Sequence, residues 1–259
     1  MNRISSYKYQ INDLKRPVAI YYFVIACLYA LTFFGAVMTT HIDTGSDVYV
    51  TSSSGISGWE IGTAIFLFVC GLNSFREPFR MLIQNGSSRK NIFAGRFLAF
   101  LSVGAGMALI DTLIMTVGQL LTSGSKRWYF KGFYEIAFSR RAESISGVQM
   151  HLESFFLIFC MYMAALAVGY FITIGYYRMN KAAKIAVSIS VPGFLFYGLP
   201  ILDQYVTKGA IFRAIGKVFA FFFGMDDKIP YYPMAFGLLT AAVFLGLCWL
   251  MLRKAVVKD

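Results

Sequence analysis

Apolar runs long enough to cross a bilayer alternate along this chain with short polar connections. A helix needs roughly 20 apolar residues to span a hydrocarbon core of about 30 Å. Pro17–Met38, Ile56–Phe75, Phe93–Leu121, Glu153–Tyr177, Ala182–Leu202 and Tyr232–Leu252 meet that condition. The third is about 44 Å long if helical throughout, so it tilts or protrudes. In lipid, only helices and closed barrels satisfy the backbone polar groups. Barrel strands would alternate apolar and polar residues, and these runs do not. The expected fold is therefore all-α: a polytopic membrane protein of six transmembrane helices, with residues 1–259 forming one transmembrane domain. Pro17–Met38 is longer than the roughly 7–15 apolar residues of a secretory signal, and no small-residue cleavage site follows it, so a retained first span is expected.

Three shorter stretches read as helices that do not cross. In Ser5–Arg16, Tyr7, Ile11 and Leu14 share one helical face and Lys8 and Lys15 lie off it, which predicts an interfacial helix before Pro17 opens the first span. Ala210–Gly224 is about 22 Å long as a helix, too short to span comfortably. Its phenylalanines crowd around Arg213 and Lys217, so an outer re-entrant or interfacial helix is expected. The third stretch is REPFRMLIQNGSSRKNIF, residues 76–93. Phe75, Phe79, Leu82 and Ile83 fall at i, i+4, i+7 and i+8, while Arg76, Arg80 and Gln84 point elsewhere. Asn73 or Ser74 suits a helix start, and Pro78 is tolerated in a first turn. Asn85–Gly86 is a helix stop, and Ser87 or Ser88 can cap the next helix. A short amphipathic helix, a glycine stop and a restart are expected there.

Charge sets the orientation. Arg3, Lys8, Lys15 and Arg16, then Arg76, Arg80, Arg89, Lys90 and Arg96, then Arg178, Lys181 and Lys184, and finally Arg253, Lys254 and Lys258 fall on one side of a six-span chain. The other side holds fewer, among them Lys126, Arg127, Lys131, Arg140, Arg141, Lys208, Arg213, Lys217 and Lys228, and its first loop has none. The positive-inside rule then puts both termini in the cytoplasm of a multi-pass plasma-membrane protein. The chain is 58% hydrophobic with 14% charged residues, which leaves no segment polar enough for a separate soluble domain.

Candidate chemistry is sparse. Cys27, Cys70, Cys160 and Cys248 lie within apolar runs and read as small buried hydrophobes. His41 and His151 stand in no metal-binding or protease pattern, so neither a metal site nor a catalytic residue is expected. GAIFRAIGKVF, from Gly209, has the wrong glycine spacing for a phosphate loop. Asp111 is the one acid deep within a long span, and either lines a pathway or bonds another helix. Glu60 stands at one end of its run. Gly104 with Ala108, Ala165 with Gly169, Gly237 with Ala241 and Ala242 with Gly246 are small residues four apart, suited to close helix packing within one subunit or between two.

The cytoplasmic amphipathic helix running into QNGSSRKNIF resembles that of permease subunits in the six-helix class of ATP-binding-cassette exporters. The resemblance extends over nearly the whole chain, through the N-terminal interfacial helix, six spans and an outer helical element between spans five and six. The QNG-S-RK-F run is similar to that of small Gram-positive permeases, including exporters of amphipathic peptides such as phenol-soluble modulins. The chain departs from the large carbohydrate and lipid exporters, and the basic 122–152 loop has no counterpart in the resemblance. What it implies is a permease paired with a second copy or a homologous permease in the lipid bilayer, each bound to a separate ATPase subunit that carries ATP and Mg. Phe75, Arg76, Phe79, Arg80, Leu82, Ile83, Gln84, Arg89 and Lys90 would form the coupling region, by the apolar face or by Arg76, Arg80 and Gln84. Arg178 and Lys181 would give a second contact, and Asp111 would belong to the translocation path. The permease itself would bind no cofactor, catalyse nothing alone and bind no nucleic acid. A secondary carrier, which calls for paired intramembrane charges, and a non-transporting sensor or immunity protein are the competing readings.

Overall fold

A computed structural model describes residues 3–41, 54–122, 128–222 and 229–253. Residues 42–53, expected to form an outer loop, the side chain of His41, Gly224 and the cations Lys126, Arg127, Lys228, Lys254 and Lys258 lie outside what is described. The described chain is mostly helical. Its elements are α1 (Arg3–His41), β1 (Ser54–Ser57), α2 (Glu60–Asn73), α3 (Arg76–Gln84), α4 (Arg89–Thr122), β2 (Trp128–Lys131), α5 (Phe133–Ala137), α6 (Ser139–Ser144), α7 (Gly147–Arg178), α8 (Lys181–Gly193), a π-helical turn (Phe194–Gly198), α9 (Leu199–Tyr205), α10 (Ala210–Phe222) and α11 (Tyr231–Arg253). Among the described residues, five helices are long and apolar enough to cross a membrane: Arg3–Thr32, Arg89–Thr122, Gly147–Arg178, Lys181–Tyr205 and Tyr231–Arg253.

Two expectations are corrected. The run Ile56–Phe75 yields only the 14-residue α2, about 21 Å of helix. Its first residues are drawn instead into β1, which pairs parallel with β2 from Ser54 opposite Trp128 to Ser57 opposite Lys131. Gly58 then turns the chain at φ +61, a conformation glycine takes without strain. The second correction concerns Pro17, which lies inside a continuous α1 rather than between two helices. A proline removes one hydrogen-bond donor but does not stop a helix held by packing on both sides. Here Ser6, Gln10 and Leu14 are buried, and Gln10 Nε2 donates to the Ile92 carbonyl at 3.1 Å and to Ser6 Oγ at 3.0 Å. The buried stripe is thus turned from the expected Tyr7, Ile11 and Leu14, and Tyr7 and Ile11 are only half-buried.

The core lies where α7 packs between α2 and α11, with α4 against α7 and α1 against α4. Glycine permits the closest of these approaches. A Cβ on Gly169 would stand 2.3 Å from the Phe68 carbonyl oxygen, and one on Gly71 would stand 2.6 Å from that of Leu166. Three of the small pairs are used inside this bundle: Gly104 faces Met163, Gly169 faces α2, and Gly237 faces the Cys160 backbone. The α7 start is capped by Ser146, which accepts from the Gln149 amide. By contrast Lys181–Tyr205 buries none of its most apolar stretch. It departs from α7 at the Asn180 cap and widens at the π turn just after Pro192, where a helix loses a donor. Asp203 Oδ1 then accepts from Thr207 Oγ1 and the Ile211 amide, both at 2.7 Å, and fixes the turn into α10.

Gly169→Ala should lower the thermal midpoint of the detergent-purified protein by several degrees, because overpacking against backbone costs about 1–3 kcal/mol. Gly106→Ala, where an added Cβ meets nothing within 4 Å, should leave it unchanged or raise it slightly. Equal midpoints for the two variants would contradict this account of the α2–α7 contact.

Candidate functional site

The sequence-predicted coupling region is built as a helix, a glycine stop and a restart. α3 begins at Arg76 and ends at Gln84, with Gly86 at φ +73. The Gly86 amide donates to the Ile83 carbonyl and the Ser87 amide to the Leu82 carbonyl, both at 2.9 Å, which closes the helix end. Ser88 Oγ accepts the Asn91 amide at 3.3 Å and starts α4. At the other end neither expected cap is used. Ser74 Oγ bonds back to the Cys70 carbonyl within α2, and Phe75 stands at the cap position without a side-chain bond.

The two faces of α3 have different fates. Phe75, Phe79 and Leu82 are each 1% exposed. The Phe75 ring stacks on Phe79 at 4.8 Å and meets Tyr177 edge-on at 5.1 Å and Tyr170 at 5.8 Å. These side chains are consumed by the chain's own core, so they are not free to anchor a partner, which corrects that half of the expectation. Ile83 is half-buried. Arg76, Glu77, Met81 and Gln84 are exposed, with Arg80 half-buried, and they form the face that remains open. Tyr9 of α1 donates its hydroxyl to Met81 Sδ at 2.9 Å. Arg89 Nη1 donates to the Arg253 carbonyl at 2.6 Å and joins the α4 start to the α11 end, while Lys90 is exposed. Arg178 and Lys181 are exposed at the α7–α8 turn, next to the Tyr177 ring that supports α3.

Asp111 is fully buried. It accepts from the Tyr22 hydroxyl at 2.7 Å on one oxygen and from the Tyr162 hydroxyl on the other. Thr63 adjoins the same carboxylate and shares a 2.8 Å bond with the Tyr21 hydroxyl. One turn before Thr63, Glu60 is fully buried too. Its Oε1 accepts the Phe133 amide at 2.9 Å, while its Oε2 has no hydrogen-bond partner among the described residues. The sequence places Glu60 at a span end; the fold brings it inside, on the same helix face as Thr63.

Within the 122–152 loop, unexplained by sequence, the described residues Tyr134, Arg141 and Gln149 are gathered by Glu153. Its carboxylate receives Arg141 at 2.8 and 2.6 Å, Tyr134 at 2.5 Å, Gln149 at 3.1 Å and Tyr231 at 3.0 Å. Tyr134 and Phe138 pack with Leu157 in a small separate core beneath. The hydrogen bond to Glu153 raises the Arg141 pKa above its ordinary value, so the pair stays ionised. His151 shares a 3.2 Å bond with Thr116 Oγ1, and no group of metal-ligating side chains exists among the described residues. Compared with known proteins, the chain matches no family model, no curated protein and no solved structure.

Removing the phenol in Tyr162→Phe should destabilise the bundle by about 1–3 kcal/mol, because it leaves a buried carboxylate short of a donor. Added to Asp111→Asn, the same change should cost clearly less than the two single losses combined, since the groups act as one unit. Thermal unfolding of the four proteins in detergent measures this; strict additivity would remove the bond from the account.

Proposed function

We propose that this chain is the membrane-spanning subunit of an ATP-driven exporter of the ATP-binding-cassette class, moving a hydrophobic or amphipathic substrate, with ATP hydrolysed on a separate subunit. The observation that carries the reading is the division of α3: an aromatic face locked into the bundle and a polar face left outward beside a cationic rim. A helix held this way transmits a push. Force on Arg76, Arg80 or Gln84 would pass through Phe75 and Phe79 to Tyr177 of α7, and through Met81 to Tyr9 of α1. An amphipathic helix resting loosely in headgroups would direct its apolar side to lipid instead.

In this reading α2 is a short sixth span. It runs antiparallel beside α1, with Tyr29 against Trp59, Tyr21 stacked on Phe66 and Tyr9 reaching Met81 beyond its far end. The face bearing α3 is cytoplasmic, and a second copy or homologous permease completes the transporter. Arg178 and Lys181, beside Tyr177, give the ATPase a second contact.

The test uses the polar face. Arg76→Glu with Arg80→Glu should change the thermal midpoint in detergent little, since Arg76 is exposed, Arg80 is only half-buried and neither makes an ion pair among the described residues. It should weaken co-purification with the ATPase subunit that this reading requires on the order of tenfold, or about 1.4 kcal/mol, and abolish stimulation of ATP hydrolysis by the reconstituted membrane subunit. Unchanged co-purification together with unchanged stimulation would end the proposal. Phe79→Asp is the unsuitable variant, because it buries a charge in the core and unfolds the bundle.

One observation favours a second reading, a proton-linked carrier. Glu60 and Asp111 are buried carboxylates with Thr63 between them, the kind of paired intramembrane acid that such carriers use. Proteoliposomes containing this chain alone discriminate the two. A carrier takes up or expels substrate under an imposed proton gradient without ATP and loses this in Asp111→Asn; the exporter does neither.

A further inference from the structure

α4 and α11 enclose an open groove of about 520 Å³. Phe93 and Phe97 form its α4 wall, and Ala242, Gly246 and Trp249 its α11 wall. The Phe93 and Trp249 rings stand 5.3 Å apart at one end, and Lys90 lines that same end one turn further on. The groove exists because α11 carries two small-residue stripes and uses only one. Gly237 and Ala241 meet α7, where a Cβ on Gly237 would stand 3.1 Å from the Cys160 backbone. Ala242 and Gly246 face the other way, and a Cβ on Gly246 meets nothing within 4 Å.

The rim of this groove is cationic. Lys90 is exposed and makes no ion pair among the described residues. Arg89 spends its bond on the Arg253 carbonyl, a neutral acceptor, and Arg253 is itself exposed. Of these cations Lys90 alone lines the groove, above its aromatic and aliphatic walls, while Arg89 and Arg253 are joined to each other beside it. A second copy seated groove to groove in the same membrane would bring both sets of cations to one level, where like charges repel. An anionic phospholipid meets both demands: a phosphate for the cations, and an acyl chain for the walls.

We propose that the α4–α11 groove binds an anionic phospholipid, with the phosphate at Lys90 and an acyl chain along Phe93, Phe97, Gly246 and Trp249. Basic sites between transmembrane helices at the membrane surface bind acidic headgroups in this way. The site holds whether the chain is an exporter subunit or a carrier, so it stands apart from the functional reading above.

Trp249 reports on the site directly. The full chain is reconstituted in phosphatidylcholine vesicles containing increasing fractions of brominated phosphatidylglycerol or brominated phosphatidylcholine, and tryptophan quenching is compared with that of Trp249→Phe, whose difference isolates Trp249. Brominated phosphatidylglycerol should quench the Trp249 component at about a fivefold lower mole fraction, the preference that one near-surface cation supplies. Lys90→Gln should abolish the preference and leave quenching by either lipid equal. Gly246→Leu, which enters open space, should reduce quenching by both lipids. Equal sensitivity to the two lipids in the native chain, or a preference that survives Lys90→Gln, overturns the proposal. So does absence of quenching by either lipid together with disulfide-linked dimers from Gly246→Cys, an outcome that gives the groove to a second copy.

Discussion

A single carboxylate holds the upper bundle in register. Asp111 of α4 takes the hydroxyl of Tyr22 from α1 and that of Tyr162 from α7, and adjoins Thr63 of α2. Four helices thus converge on one side chain. In a membrane, helix association lacks the water-driven term that dominates soluble cores, so packing and interhelical hydrogen bonds decide the arrangement. A buried acid served by hydroxyls cannot be moved a turn without stranding several polar groups in hydrocarbon. Close glycine contact between α2 and α7 does the complementary work lower down, bringing the backbones near enough for Thr173 to bond the Leu72 carbonyl. Register is therefore set twice, by polar bonding and by shape.

α3 depends on that arrangement. Its aromatic face fits only because α7 presents Tyr170 and Tyr177 at the right height, and α7 is positioned by Tyr162 two turns away. At the opposite end Glu153, also on α7, gathers the segment from Tyr134 to Arg141 and the start of α11 through Tyr231. One helix therefore carries the ties at both ends of the bundle. Any displacement imposed at α3 has a stiff path along α7 to the Asp111 cluster and on to the Glu153 cap.

The sequence made much of this legible, unevenly. Apolar length located α11 and the Lys181–Tyr205 helix to within three residues and α4 and α7 to within four and six, because long uninterrupted runs carry a strong signal. The helical face, the glycine stop and the restart of residues 76–93 were also readable, since each rests on local backbone chemistry. Which α3 face would be open was not, because it depends on Tyr177, nearly a hundred residues away. Hydropathy likewise extended α2 back to Ile56, blind to the pairing of Ser54–Ser57 with a distant strand. Pro17 read as a boundary because propensity weighs the lost donor and not the packing of Gln10 on α4. Asp111 could be singled out as an intramembrane acid, but its tyrosine partners, dozens of residues away, could not be named.

The unequal packing of the two halves has a physical consequence. α7 is buried along half of its most apolar stretch, whereas Lys181–Tyr205 buries none. In water that helix would be a costly exposed surface; in lipid its apolar side chains are already solvated, and packing against the bundle would gain little. Its position is therefore set by few ties: the Asn180 cap after α7 and the bond between the Tyr176 hydroxyl and Ser188, with the Asp203 turn shaping the exit into α10. The π turn after Pro192 falls between Ser188 and Asp203, where a wider helical turn accommodates a missing donor. A segment tied to α7 by the Asn180 cap and the 3.1 Å bond between Tyr176 and Ser188, and unpacked along its most apolar stretch, can change its lateral neighbours at low cost. The α7-centred bundle, held by Asp111 and Glu153, cannot. A rigid α7-centred half and a less packed half beyond Arg178 are the two parts that the proposed transporter would require.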